Sequence, residues 1–270
     1  MRWLAVIVLF GIPIFGAAPI TPTLLDESYA RMYNLDFAGA HRTLAEFMRQ
    51  NPEDPLGPVS DAAAYLFEQL DRLRVLQSEF FTNDDAFRWS ARLKPDPAAV
   101  KVFEQQLKKA ETLSTSALAK NSRDTNALFA QVMAQGLRSD LQGLIEKNYL
   151  SSLSAAKSAR LNAEKLLSID PSYHDAWIAV GVENYMLSLK PLALRWLLQL
   201  GGNQTDRAMG VDRLRLTAEG GRYLKPFARL LLAVAALRDN DKGKARAILS
   251  ELKAQFPGNR LYAEELARIR

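Results

Sequence analysis

Residues Ala159 to Gly181 read A-R-L-N-A-E-K-L-L-S-I-D-P-S-Y-H-D-A-W-I-A-V-G. Ala159, Ala163 and Leu166 fall on one face of a helix, at i, i+4 and i+7. Pro171 closes that helix and pushes Asp170 toward an extended backbone. A second helix follows, with Trp177, Val180 and Gly181 on its inner face. Small residues let the two helices approach closely, and the larger ones fill the space between them. The stretch therefore predicts a helix-turn-helix junction.

The offsets of this first helix recur along the chain. Ala40, Leu44 and Phe47 are followed by Pro52, and Ala245, Leu249 and Leu252 by Pro257. A weaker copy is Ala110, Ser114, Ala117 and Ser122; a fifth is Ala193, Leu197 and Leu200, closed by Gly201-Gly202. Glycine suits a helix C-terminus because it reaches positive φ at little cost. Helices are expected at about 26–34, 37–50 (capped by Asp36), 56–80, 84–93, 125–147, 149–169, 206–220, 225–240, 241–255 and 259–270. No segment alternates with period two, so no sheet is expected.

The small-x3-apolar-x2-apolar-x4-Pro helix followed by Trp177-x2-Val180-Gly181 resembles the junction between two tetratricopeptide repeats. The steps between the anchor alanines are 70, 49, 34 and 52 residues, and the step from Ala159 to Ala193 equals one such repeat. The others fit an intervening helix pair, a lengthened pair and one extra helix. The run Leu197-x3-Gly201-Gly202, Asp206-Arg207-x2-Gly210-x3-Leu214 and the later Phe256-Pro257-Gly258-Asn259 also resemble the C-terminal half of the inclusion-body-clearance (tetratricopeptide-39) group. The resemblance implies an all-α, irregular right-handed superhelix of about twelve or thirteen helices. It also implies a non-enzymatic interaction scaffold that holds a protein or peptide in a concave groove. Two features depart from the family pattern: the helices are unequal, and the first-helix Trp and Gly occur only at Trp177 and Gly181.

The N-terminus reads as an export signal. Arg2 precedes an apolar run of 13 residues, Trp3 to Phe15, and Gly16-Ala17-Ala18 supplies small residues for cleavage. The run is shorter than the ~20 residues that span a bilayer. Residues 1–18 are thus expected to be a signal peptide, and 19–270 a single domain of the periplasm or cell envelope. Cysteine is absent, which excludes disulfides, thiol nucleophiles and cysteine-based metal sites. Net charge is +5, but Lys190 to Arg270 carries 16 basic and 8 acidic residues, a net of +8, against −3 for the rest. That asymmetry allows peripheral contact with an anionic membrane and, without any nucleic-acid motif, gives no reason to expect nucleic acid.

Chemistry is sparse. His174 beside Asp175 is the one sequence-adjacent base and orienter, and a capping role at a helix start is the plainer reading. Neither Gly201-Gly202 nor Gly220-Gly221 fits a phosphate loop, so both read as helix stops. No catalytic residue, cofactor or metal is expected. Groove candidates on the inner faces of first helices are Asn126, Phe129, Met133, Asp175 and Tyr185. Met186 to Leu200 is the most apolar part beyond the N-terminal run: as an all-round apolar segment it is expected to be a buried helix broken by Pro191. The alternative is a membrane-contacting element with Lys190, Arg195 and Trp196 at the interface.

Overall fold

The computed structural model describes residues 22–75 and 94–269. The expected signal peptide at 1–18 and the expected helix at 84–93 lie outside the described residues. The described residues are all-α, and twelve α-helices carry the fold. They are α1 Leu24–Tyr33, α2 Phe37–Gln50, α3 Leu56–Arg72, α4 Pro97–Lys120, α5 Thr125–Asp140 and α6 Tyr149–Ile169. The second half comprises α7 Trp177–Ser188, α8 Leu192–Leu200, α9 Arg207–Gly220, α10 Lys225–Arg238, α11 Lys242–Gln255 and α12 Arg260–Arg268.

Short polar side chains start most of these helices by accepting first-turn N–H groups that have no partner inside the helix. Thr23 and Asp26 form a reciprocal capping box on α1. Asp36, Asp124, Asp206 and Asp241 accept the amides of Gly39, Ala127, Met209 and Lys244 in the same way. Leu35 and Asn240 take left-handed backbone (φ 60° and 58°), which lets α1–α2 and α10–α11 turn back after short loops. The helix expected over 125–147 stops earlier, because one wide turn at Leu141–Ile145 interrupts it before α6.

Sequence neighbours are spatial neighbours. Each helix from α1 to α7 packs on the next, and so does each from α9 to α12, with α3 also touching α1 and α5. Ala40, Ala110, Ala159, Ala163 and Ala245 sit buried at the contacts. The exception is α8. Helix α7 packs chiefly on α9, across close approaches made by two glycines. A Cβ on Gly181 would meet Leu214 Cγ at 2.9 Å, and one on Gly210 would meet the Tyr185 backbone N at 2.5 Å. Gly210, Leu214 and Thr217 therefore occupy the offsets that the sequence pattern gave to Ala193, Leu197 and Leu200. Ala193 is exposed, on a helix with no buried residue. Gly210 lies 51 residues after Ala159 and 35 before Ala245.

The ends of the described chain meet. Arg222 pairs with Asp26 at 2.7 Å and Arg260 with Asp71 at 2.8 Å. The Tyr33 hydroxyl donates to Tyr223 O at 2.9 Å, and Asn259 Nδ2 donates to Tyr33 O at 2.8 Å. The rings of Tyr29 and Tyr223 stack with centroids 5.0 Å apart. Helix α12 thus follows a corner seated on α1, and its Arg260 reaches α3.

Candidate docking helix and its polar brace

Helix α8 is where the chain departs from core packing. Up to Ser188 the segment Met186–Leu200 is largely buried; past Pro191 it is not. Pro191 lacks the N–H that would continue α7, so the chain leaves the stack there. Leu192, Leu194, Trp196, Leu197 and Leu200 are exposed, Leu192 at 77% and Trp196 at 61%. Leu192, Trp196 and Leu200 recur at i, i+4 and i+8 on one face, while Arg195 and Leu198 are partly covered. The expectation of a buried broken helix is therefore corrected: the break separates a buried half from an exposed one.

What holds α8 is a set of buried polar groups under its C-terminal end. Arg160 of α6 donates Nε to Glu183 Oε2 at 2.9 Å, and the two side chains are 5% and 0% exposed. Its other nitrogens reach Glu164 at 2.8 Å and Gly202 O at 2.9 Å. Glu183 Oε1 in turn accepts Asn203 Nδ2 at 3.1 Å and the Gln204 amide at 3.0 Å. Asn184 donates to Gln204 Oε1 at 2.7 Å and accepts the Asp206 amide at 3.0 Å. Lys157 Nζ donates to Gly201 O at 2.8 Å. The planar guanidinium serves three acceptors at once, a geometry lysine cannot reproduce. A buried charge left unpaired is costly, so this brace fixes the loop 201–206, and with it the end of α8, in one place.

The sequence-predicted groove residues do not assemble into an open groove. Phe129, Met133, Asp175 and Tyr185 are buried and only Asn126 is exposed. Among the other anchors, Trp177 is partly covered by core and Arg213 lies over its ring at 4.5 Å. Pro52, Pro171 and Pro257 follow the ends of α2, α6 and α11.

The histidines are also redistributed. The Asp175 carboxylate accepts the amides of Arg222, Tyr223 and Leu224 at 2.9, 3.2 and 2.8 Å, and so holds the loop that leads into α10 instead of capping its own helix. Burial pushes its carboxyl up, against the pull of these three donors. The His–Asp contact forms elsewhere: His41 Nδ1 lies 2.6 Å from Asp61 Oδ1 and bridges α2 to α3. The other ring nitrogen, Nε2, is buried without a hydrogen-bond partner and lies 4.0 Å from Glu68 Oε2. Asp61 lies 20 residues from His41 on a different helix, a pairing that no local motif signals. Among the described residues no group of three or more His, Cys, Asp or Glu side chains is placed to hold a metal.

No family model matches this chain, and neither a curated protein nor a solved structure matches it.

Proposed function

We propose that this chain is a non-enzymatic, tetratricopeptide-like helical-repeat protein of the cell envelope that docks on an anionic membrane surface through α8. The observation that carries the reading is a helix of nine residues with no buried side chain, held at its end by a buried ion pair. Leaving large apolar residues in water while spending buried charges to hold them there is unfavourable for a bare fold, and a contact surface accounts for both. At about 14 Å, α8 is far too short to cross a bilayer but suits an interfacial position, with Trp196 at the boundary and Lys190 and Arg195 beside it. The basic C-terminal third supplies long-range attraction to anionic head groups. The repeat assignment draws support from Trp177, Gly181 and Gly210 and from the 35-residue step to Ala245. Export draws support from Arg2, the apolar run and Gly16-Ala17-Ala18. A concave peptide groove is the less favoured version, since four of its five expected residues are buried.

Vesicle flotation tests the proposal. The full chain is compared with the double variant Trp196→Asp/Leu200→Asp on vesicles with and without phosphatidylglycerol, so the N-terminal segment is common to both proteins. Two such side chains are worth roughly 3 kcal/mol or more when buried, so the variant should bind at least about tenfold more weakly. High salt should weaken the parent's binding to anionic vesicles. Equal flotation of both proteins, or capture of a protein partner through α8 with no vesicle binding, would sink the membrane reading.

A further inference from the structure

We infer that the seam between the two ends of the chain forms a binding pocket for the end of an alkyl chain. The pocket has an interior of about 90 Å³, and about 830 Å³ counting its open mouth. Its walls include Tyr29, Tyr33, Phe67, Met133, Phe227 and Leu261, brought together from α1, α3, α5, α10 and α12. These helices come from both halves of the chain, so the space exists only because the chain closes on itself.

The polar groups at the wall are already engaged. The Tyr29 hydroxyl shares a hydrogen bond with Ser60 Oγ at 3.2 Å, and that of Tyr33 donates to Tyr223 O. Asn259 donates Nδ2 to Tyr33 O and accepts the Leu261 amide at 3.0 Å. Glu265, also at the wall, accepts Arg268 Nη1 at 3.0 Å. What the pocket presents is ring faces, methylenes and the thioethers of Met32 and Met133. An apolar cavity of this kind stays dry and takes apolar guests, whereas water needs two to four polar partners to settle. Methionine walls adapt to a thin, flexible guest better than to a rigid one, and a narrow interior behind a wide mouth suits a chain end whose polar head stays outside. Met133, expected in a peptide groove, serves this internal site instead. The inference is independent of α8 and of the membrane reading.

The test is isothermal titration of the full chain with 1-octanol, with benzyl alcohol as a ring-shaped comparison. The parent should show saturable binding of one octanol per chain. Ala63→Leu and Leu230→Trp each enlarge a side chain at the wall and should weaken binding at least tenfold, with folding checked by circular dichroism. Trp196→Asp should leave it unchanged. Repeating the titration with phosphatidylglycerol vesicles in the Trp196→Asp/Leu200→Asp background, with and without Ala63→Leu, separates the sources: vesicle binding that Ala63→Leu weakens identifies bilayer lipid, and octanol binding without such vesicle binding identifies a free amphiphile. Absence of saturable octanol binding by the parent overturns the inference. So does undiminished binding by a folded Ala63→Leu or Leu230→Trp variant, loss of binding in Trp196→Asp, or tighter binding of benzyl alcohol.

Discussion

Arg160→Met is the most informative single change for the brace. It removes the side-chain cation that, among the described residues, is bonded to Glu183, whose side chain is fully buried. It also frees Gly202 O and one partner of Glu164. Breaking a buried ion pair from one side typically costs about 3–5 kcal/mol, because the remaining charge stays desolvated. Since α6 and α7 both belong to the stacked core, the loss should appear in global unfolding, as a fall in Tm on the order of 10 °C. Glu183→Met alone should cost a similar amount. The double variant Arg160→Met/Glu183→Met removes both charges, and it should recover to within about 2 kcal/mol of the parent, the residue being the orphaned Asn203 and Gln204 donors. Guanidinium unfolding followed by circular dichroism gives all corners of the cycle. A cost below about 1 kcal/mol for Arg160→Met, or a double variant whose loss equals the sum of the singles, would refute the reasoning.

The seam carries a pH signature. The Arg222 guanidinium holds the Asp26 carboxyl at about 2, below its ordinary 3.8. A depressed carboxyl contributes stability that is full above pH 4 and lost as pH falls toward 2. Arg222 is half exposed, so solvent screening limits the contribution to about 1 kcal/mol. Asp26→Asn should flatten the acid limb of an unfolding-midpoint series by that amount, and an unchanged limb would argue against the pairing. The glycines should diverge. Gly210→Ala drives a methyl into the Tyr185 backbone and should cost about 1–3 kcal/mol or more, whereas Gly136→Ala meets nothing within 4 Å inside α5 and should gain about 1 kcal/mol. Thermal unfolding of the two variants checks both signs.

The sequence was most legible where the physics is local. Asp36, Asp206 and Asp241 announce helices a few residues ahead because the cap acts on the first turn that follows. The stops after Gln50, Ile169 and Gln255 were equally plain, each with a proline close behind. Legibility fails where partners are distant. Asp175 looks like a cap for its own helix, yet its donors lie 47 to 49 residues on. Nothing near His41 points to Asp61, and nothing in Tyr33 or Asn259 signals that they meet. The sharpest confusion is between Ala193 and Gly210. An exposed amphipathic helix and a buried one share the same period, so Ala193, Leu197 and Leu200 imitate a core stripe. The residue at the buried contact is a glycine, Gly210, which a search for alanine passes over.

That confusion also explains the irregular spacing of the anchors. The 51-residue step from Ala159 to Gly210 exceeds a 34-residue repeat by 17, the length of the segment from Leu189 to Thr205. The excess is thus a complete excursion: it leaves the stack after α7 at Pro191, forms α8 and returns at the Asp206 cap of α9. Its return is tied to its departure, because the Asp206 amide is held by Asn184 of α7. An excursion anchored at both ends need not disturb the hairpin that it interrupts, and the Gly181 and Gly210 contacts are intact on either side of it. Meanwhile four of the five residues expected to line a groove, Phe129, Met133, Asp175 and Tyr185, are buried. The apolar element that the fold leaves outside the stack is α8.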